Sequence, residues 1–210
     1  MAGIAIGLGL GLTLGVGGGR APFVLDTFTD TNGVAITDHT PELGGAWSAQ
    51  FGNSPATPSR INNNRLYSTS GAGIYRNAAT PPSADYYVEG VLDFLSTVAG
   101  DNVGIIGRAQ SGENTYYTVR WSQASGNFAM FRIVAGSSTQ IGSSYATTFT
   151  SGSKVVRLTM VGSAISASID GVVRISATDA NITAAGFAGT RAITPVTTTT
   201  GIHLTSVTAA

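Results

Sequence analysis

The acidic residues with the most chemically usable spacing are Asp85, Glu89 and Asp93, in the run Asp85-Tyr86-Tyr87-Val88-Glu89-Gly90-Val91-Leu92-Asp93. In an extended chain, residues four apart lie on the same face, so these carboxylates stand in one row. Glycoside hydrolysis needs two carboxylates across the scissile bond, about 5–5.5 Å apart for retention or about 6.5–9.5 Å for inversion. The row alternates with Tyr86, Val88, Leu92 and Phe94, as polar residues do on the outer face of a half-exposed strand. We therefore expect surface carboxylates here, not a catalytic pair.

Other chemistries find less support. His39 and His203 are far apart in sequence, and neither stands beside a nucleophile motif. There is no cysteine and no Gly-x-Ser-x-Gly elbow, so neither thiolate nor serine nucleophiles are indicated. His39 lies in Thr37-Asp38-His39-Thr40-Pro41, a turn in which local hydrogen bonds are expected. Asp26, Asp30, Asn32 and Gly33 superficially resemble a calcium loop, but the EF-hand spacing and closing glutamate are absent. An Asx-rich turn is the expectation instead. We expect no enzyme, no metal and no cofactor.

Binding is a better prospect. In Tyr116-Tyr117-Thr118-Val119-Arg120-Trp121, strand alternation places Tyr117, Val119 and Trp121 on one face, expected to be core. Tyr116, Thr118 and Arg120 take the other face. Tyr116 and Arg120 are the candidate glycan contacts, with cross-strand pairing as the plainer role for such residues.

The second candidate site is the leader. Ile4, Ile6, Leu8, Leu10, Leu12, Leu14 and Val16 alternate with Gly, Ala or Thr. Period two is the strand period, so the bulk falls on one face and almost nothing on the other. Burying seven aliphatic side chains at about 1.5–3 kcal/mol each contributes on the order of 10–20 kcal/mol. Ordering costs of about 1–2 kcal/mol per residue oppose it, so docking also requires that backbone hydrogen bonds be made. Strand addition to a sheet edge, or intertwining of identical copies, meets both needs. No basic residue precedes the run, which argues against a signal peptide. Its length falls short of the roughly 20 residues of a membrane span. We expect an assembly arm over 1–21, joined through Gly17-Gly18-Gly19 to a domain over 22–210.

That domain must position the rest. Eleven basic and eleven acidic residues give zero net charge, and only 10% of residues are charged, with Lys154 the single lysine. Such a chain presents no electrostatic footprint for nucleic acid. No helical period appears after Pro22. Apolar alternation and β-branched runs predict strands over 86–95, 103–109, 115–122, 128–134, 154–161, 164–169, 172–177 and 201–207. Asp170-Gly171 predicts a two-residue hairpin turn, and Ser125-Gly126-Asn127 a second reversal. Residues 38–82, with Trp47, predict short strands joined by long loops. Many short strands of this kind make an all-β sandwich or jelly roll.

The order of patterns carries a resemblance. Asp26-Thr27-Phe28 followed by Gly44-Gly45-Ala46-Trp47 resembles the opening of concanavalin A-like, laminin-G-like jelly rolls. The runs 85–89, 103–108, 116–121, 154–160, 165–175 and 185–190 follow in similar order, so the likeness covers roughly residues 22–208. It implies an antiparallel jelly-roll β-sandwich. Jelly-roll glucanases of similar fold place their acids as Glu-x-Asp-x-x-Glu, a spacing from which 85–93 departs. The same opening joined to a glycine-rich leader resembles structural proteins of tailed bacteriophages. This implies a virion location, as a head decoration or tail appendage. The implied partners are other virion proteins, copies of the chain in a homo-oligomer such as a trimer, and host-surface glycan. The alternatives are a secreted, lectin-like carbohydrate-binding module and a glycosidase.

Overall fold

The computed structural model describes residues 20–96, 102–122, 124–147, 149 and 151–210. The arm residues Ile4, Ile6, Leu8, Leu10, Leu12, Leu14 and Val16 lie outside this set. Among the described residues there is no helix, and the strands form two sheets.

The first sheet runs β13 (Val172–Thr178), β12 (Ala164–Ile169), β11 (Gly152–Val161), β6 (Tyr86–Phe94), β15 (Ile202–Ala209), β4 (Leu66–Tyr67) and β3 (Arg60–Ile61). Its remaining strand, β1 (Val24–Asp26), pairs with the far end of β15. The second sheet runs β10 (Ser137–Ala146), β9 (Asn127–Val134), β8 (Tyr116–Ser122), β7 (Asn102–Ala109), β14 (Phe187–Ala192), β5 (Ile74–Asn77) and β2 (Trp47–Ala49). Neighbouring strands pair antiparallel in both sheets. The chain crosses between sheets after β6 and returns after β10, and its first and last strands lie side by side. This is an antiparallel jelly-roll sandwich.

The core lies between the sheets. Tyr117, Val119 and Trp121 of β8 face inward, as alternation requires, and so do Tyr86, Val88, Leu92 and Phe94 of β6. Trp121 packs against Phe94, Phe128 and Phe149 at centroid distances of 5.7, 5.2 and 5.5 Å. The eight strands expected from alternation are all present, with ends differing by two residues at most. At the β12–β13 turn, Asp170 and Gly171 have φ of 49° and 77°, the left-handed pair that a type I′ turn requires.

Alternation did not reveal β10. Its sequence Ser137-Ser138-Thr139-Gln140 is polar because it is a sheet edge, and only Ile141 is buried. The paired opening motifs have a physical basis. The Trp47 indole N–H donates to Asp26 Oδ2 at 2.6 Å, so the two motifs close one buried contact between the sheets.

Candidate functional site

The acidic row is consumed by arginines. Glu89 accepts from Arg157 Nε and Nη2, both at 2.8 Å, and Asp93 accepts from Arg65 Nε at 2.8 Å and Ser153 Oγ at 3.0 Å. Asp85 accepts from the Gly162 amide at 2.8 Å and lies 3.3 Å from Arg108 Nη2. Four residues of strand separate Glu89 from Asp93, about 13 Å at the strand rise. That exceeds either glycosidase separation.

His39 is not confined to its own turn. Its ring is buried, with Nε2 3.0 Å from Asp26 Oδ1 and Nδ1 2.8 Å from Asp30 Oδ2. Burial disfavours the imidazolium, but the hydrogen bonds and charges of Asp30 and Asp26 outweigh it and raise the His39 pKa. Both ring nitrogens then donate to carboxylates. Asp26 is fully buried; burial raises its pKa even though Phe28 N–H, His39 and Trp47 hydrogen-bond it. Asp26 Oδ1 also accepts from Phe28 N–H at 2.6 Å and Asp30 Oδ1 from Thr31 N–H at 2.7 Å, so both acids cap short turns. This constellation is closed to a ligand and serves as a polar pin between the two opening motifs. His203, also buried, stacks on Tyr67 at 5.5 Å and donates from Nε2 to the carbonyls of Thr197 and Thr200. Burial lowers its pKa. Among the described residues, no group of three or more His, Cys, Asp or Glu is arranged to hold a metal ion.

The outer face of the second sheet differs. Here Tyr116 and Arg120 line one cleft of about 380 Å³ together with Arg191, Asn53, Asn114 and Ser138. Strand register builds it. Arg120 on β8 pairs with Gly104 on β7, and Gly104 pairs in turn with Arg191 on β14. The two arginines thus flank a glycine across three strands, about 10 Å apart at the backbone. A Cβ on Gly104 would lie 2.0 Å from the Val119 carbonyl oxygen, so only glycine fits between them.

Local packing orients each side chain. The Arg120 guanidinium lies 4.1 Å from the Phe131 ring centroid, a cation–π contact across β8 and β9. Arg191 is 7% exposed and donates from Nη1 to the Tyr116 hydroxyl at 3.1 Å. Tyr116 itself is 2% exposed, so it forms a wall of the cleft and is not the solvent-facing platform that alternation implied. Burial raises its pKa, with the charges of Arg191 and Arg120 pulling the other way. Burial, and then the charge of Arg191, push Arg120 down to about 10. Burial likewise lowers Arg191. Beyond Arg120 the surface continues into a second depression of about 260 Å³ lined by Ser122, Asn127, Phe131 and Gln140. Phe51 is 52% exposed, on the loop that supplies Asn53, and it is the most exposed aromatic among the described residues.

Sequence reasoning missed Arg191, Phe131 and Phe51. The alternation Phe187, Gly189, Arg191 marks Arg191 as outward-facing, but nothing local places β14 two strands from β8.

No protein-family model matches the chain, and no curated protein matches it. Solved structures share its fold. A structure from human gut bacteria, described with endo-acting O-glycanases that initiate mucin breakdown, is 9% identical over 90% of this chain and 99% of that one, with TM-score 0.61. The carbohydrate binding module CBM66 from Bacillus subtilis is 12% identical over 80% and 88%, with TM-score 0.51. The CBM2 module of the evolved Dit of Lactobacillus casei BL23 phage J-1 is 12% identical over 89% and 95%, with TM-score 0.50. The likeness is one of fold: a concanavalin A-like jelly roll of the kind found in carbohydrate-binding modules. Among the described residues, no helix is long and apolar enough to cross a membrane.

Proposed function

We propose that the chain is a non-catalytic glycan-binding module whose site is the cleft on the outer face of the second sheet. One observation carries this reading. Polar side chains from four separate segments, Asn53, Asn114 with Tyr116 and Arg120, Ser138, and Arg191, converge on one depression over the sheet. Sugars are recognised by such convergent polar groups beside apolar faces, and Ile74, Ile133 and Ile193 in the lining supply the apolar surface. The acids of 85–93 are paired with arginines, which favours binding over hydrolysis. The carbohydrate-binding modules of similar fold point the same way. Glycan-array binding by the full chain should be lost in Tyr116→Ala with Arg120→Ala. Because that pair also disturbs packing, Arg120→Gln alone, checked for unchanged melting, completes the test. Binding that survives both variants overturns the site.

A particle role is the second reading, in which the arm over residues 4–16 anchors this module in a virion, through other virion proteins or copies of itself. It is supported by the unbroken alternation of the leader and by the phage Dit module of similar fold. A secreted module with the same cleft is the competing location. Deleting residues 2–19 should abolish incorporation into particles or oligomers while leaving glycan binding intact. Unchanged assembly after the deletion refutes the anchoring role.

A further inference from the structure

The cleft has an unbalanced charge. Arg108, the other deeply buried arginine, has Asp85 as its acid, and Arg65, Arg132 and Arg157 pair with Asp93, Asp179 and Glu89. Among the described residues Arg120 and Arg191 have no carboxylate partner. They share one cleft, and the Nε of each is buried with no hydrogen-bond partner. Two half-desolvated cations side by side oppose folding, and each unpaired buried N–H adds a desolvation penalty. A fold that keeps both guanidiniums on a ligand-sized cleft has placed them for an anion.

We infer that the cleft selects an anionic saccharide, with a carboxylate or sulfate of the sugar seated between Arg120 and Arg191. This rests on the glycan-binding reading and narrows it to a substrate class. Asn53, Asn114 and Ser138 on the same cleft present amide and hydroxyl groups to the sugar hydroxyls. The Arg191–Tyr116 hydrogen bond and the Arg120–Phe131 stack hold the two cations in place before the ligand arrives. Arginine suits the task because its charge persists even when burial depresses its pKa.

The test is calorimetric titration of the full chain with trigalacturonate, 3′-sialyllactose and a sulfated chondroitin disaccharide, set beside lactose and galactotriose. At least one anionic sugar should bind roughly 10-fold or more tighter than the neutral ones, in keeping with charge-assisted hydrogen bonds. The preference should shrink as salt rises and vanish in Arg120→Met and in Arg191→Met. Arg191→Lys, which keeps the charge, should retain part of it and guards against a variant that merely misfolds. Equal affinity for neutral and anionic sugars overturns the charge inference and leaves the glycan-binding reading standing. Absence of binding to any sugar overturns both. Inorganic sulfate binding as tightly as the best saccharide overturns the assignment to sugars.

Discussion

Replacing His39 by alanine tests the polar pin beneath the domain opening. The imidazolium donates to Asp26, which is fully buried, and its loss leaves that carboxylate with only the Phe28 amide and the Trp47 indole. Removing one partner of a buried ion pair costs about 3–5 kcal/mol. The two remaining donors place the effect at the low end, about 3 kcal/mol. For a domain of this size each kcal/mol shifts Tm by about 2–4 °C, so the variant should melt roughly 6–12 °C lower at pH 6. The pH dependence has a defined sign. Because the His39 pKa is raised above its ordinary 6.5, its stabilisation is complete below pH 6.5 and fades as pH rises through the folded pKa. His203 is shifted the other way and loses its contribution below pH 6.5, so it does not confound the alkaline limb. Thermal melts followed by circular dichroism from pH 6 to 9 should show wild type losing stability relative to His39→Ala as pH rises. A constant gap across that range, or a drop under about 2 °C at pH 6, refutes the charged-pin reasoning.

Three further outcomes are expected. Gly104→Ala forces a Cβ against the Val119 carbonyl and must displace β8, so stability should fall by about 1–3 kcal/mol in urea titrations, with glycan affinity falling too. Phe51→Ala should leave melting unchanged, since the ring is exposed. The ring stands on the loop that supplies Asn53 to the cleft, so the same variant should weaken sugar binding roughly 2- to 10-fold in calorimetry. Asp170→Ala puts a β-carbon residue other than Asp at φ 49° and removes the acceptor for the Val155 amide and Lys154, so a loss of about 1–2 kcal/mol should appear in denaturant unfolding.

Legibility in the sequence followed locality. Among the strands from β6 to β9 and from β11 to β13, most were readable because burial of one face imposes a period of two, whereas β7, buried on both faces from Val103 to Ala109, was readable from its β-branched run. β10 was hidden because an exposed edge imposes no such pattern. The cleft was half readable. Tyr116 and Arg120 share a face by alternation alone, whereas Arg191 reaches them only through the register of β14 on β7 and of β7 on β8. Its local sequence marks His39 as a turn residue, yet Asp26 lies thirteen residues earlier and meets it only when β1 packs beneath Trp47.

By itself the sequence determined an all-β sandwich, the inward and outward sets of β6 and β8, and the left-handed turn at Asp170-Gly171. These follow from side-chain alternation and φ preference, which act over a few residues. Only the tertiary structure decided that the acids of 85–93 are neutralised by Arg65, Arg108 and Arg157, and that Arg120 and Arg191 are left facing each other without an acid. Charge pairing is settled by which strands become neighbours. In an antiparallel jelly roll those neighbours come from distant parts of the chain.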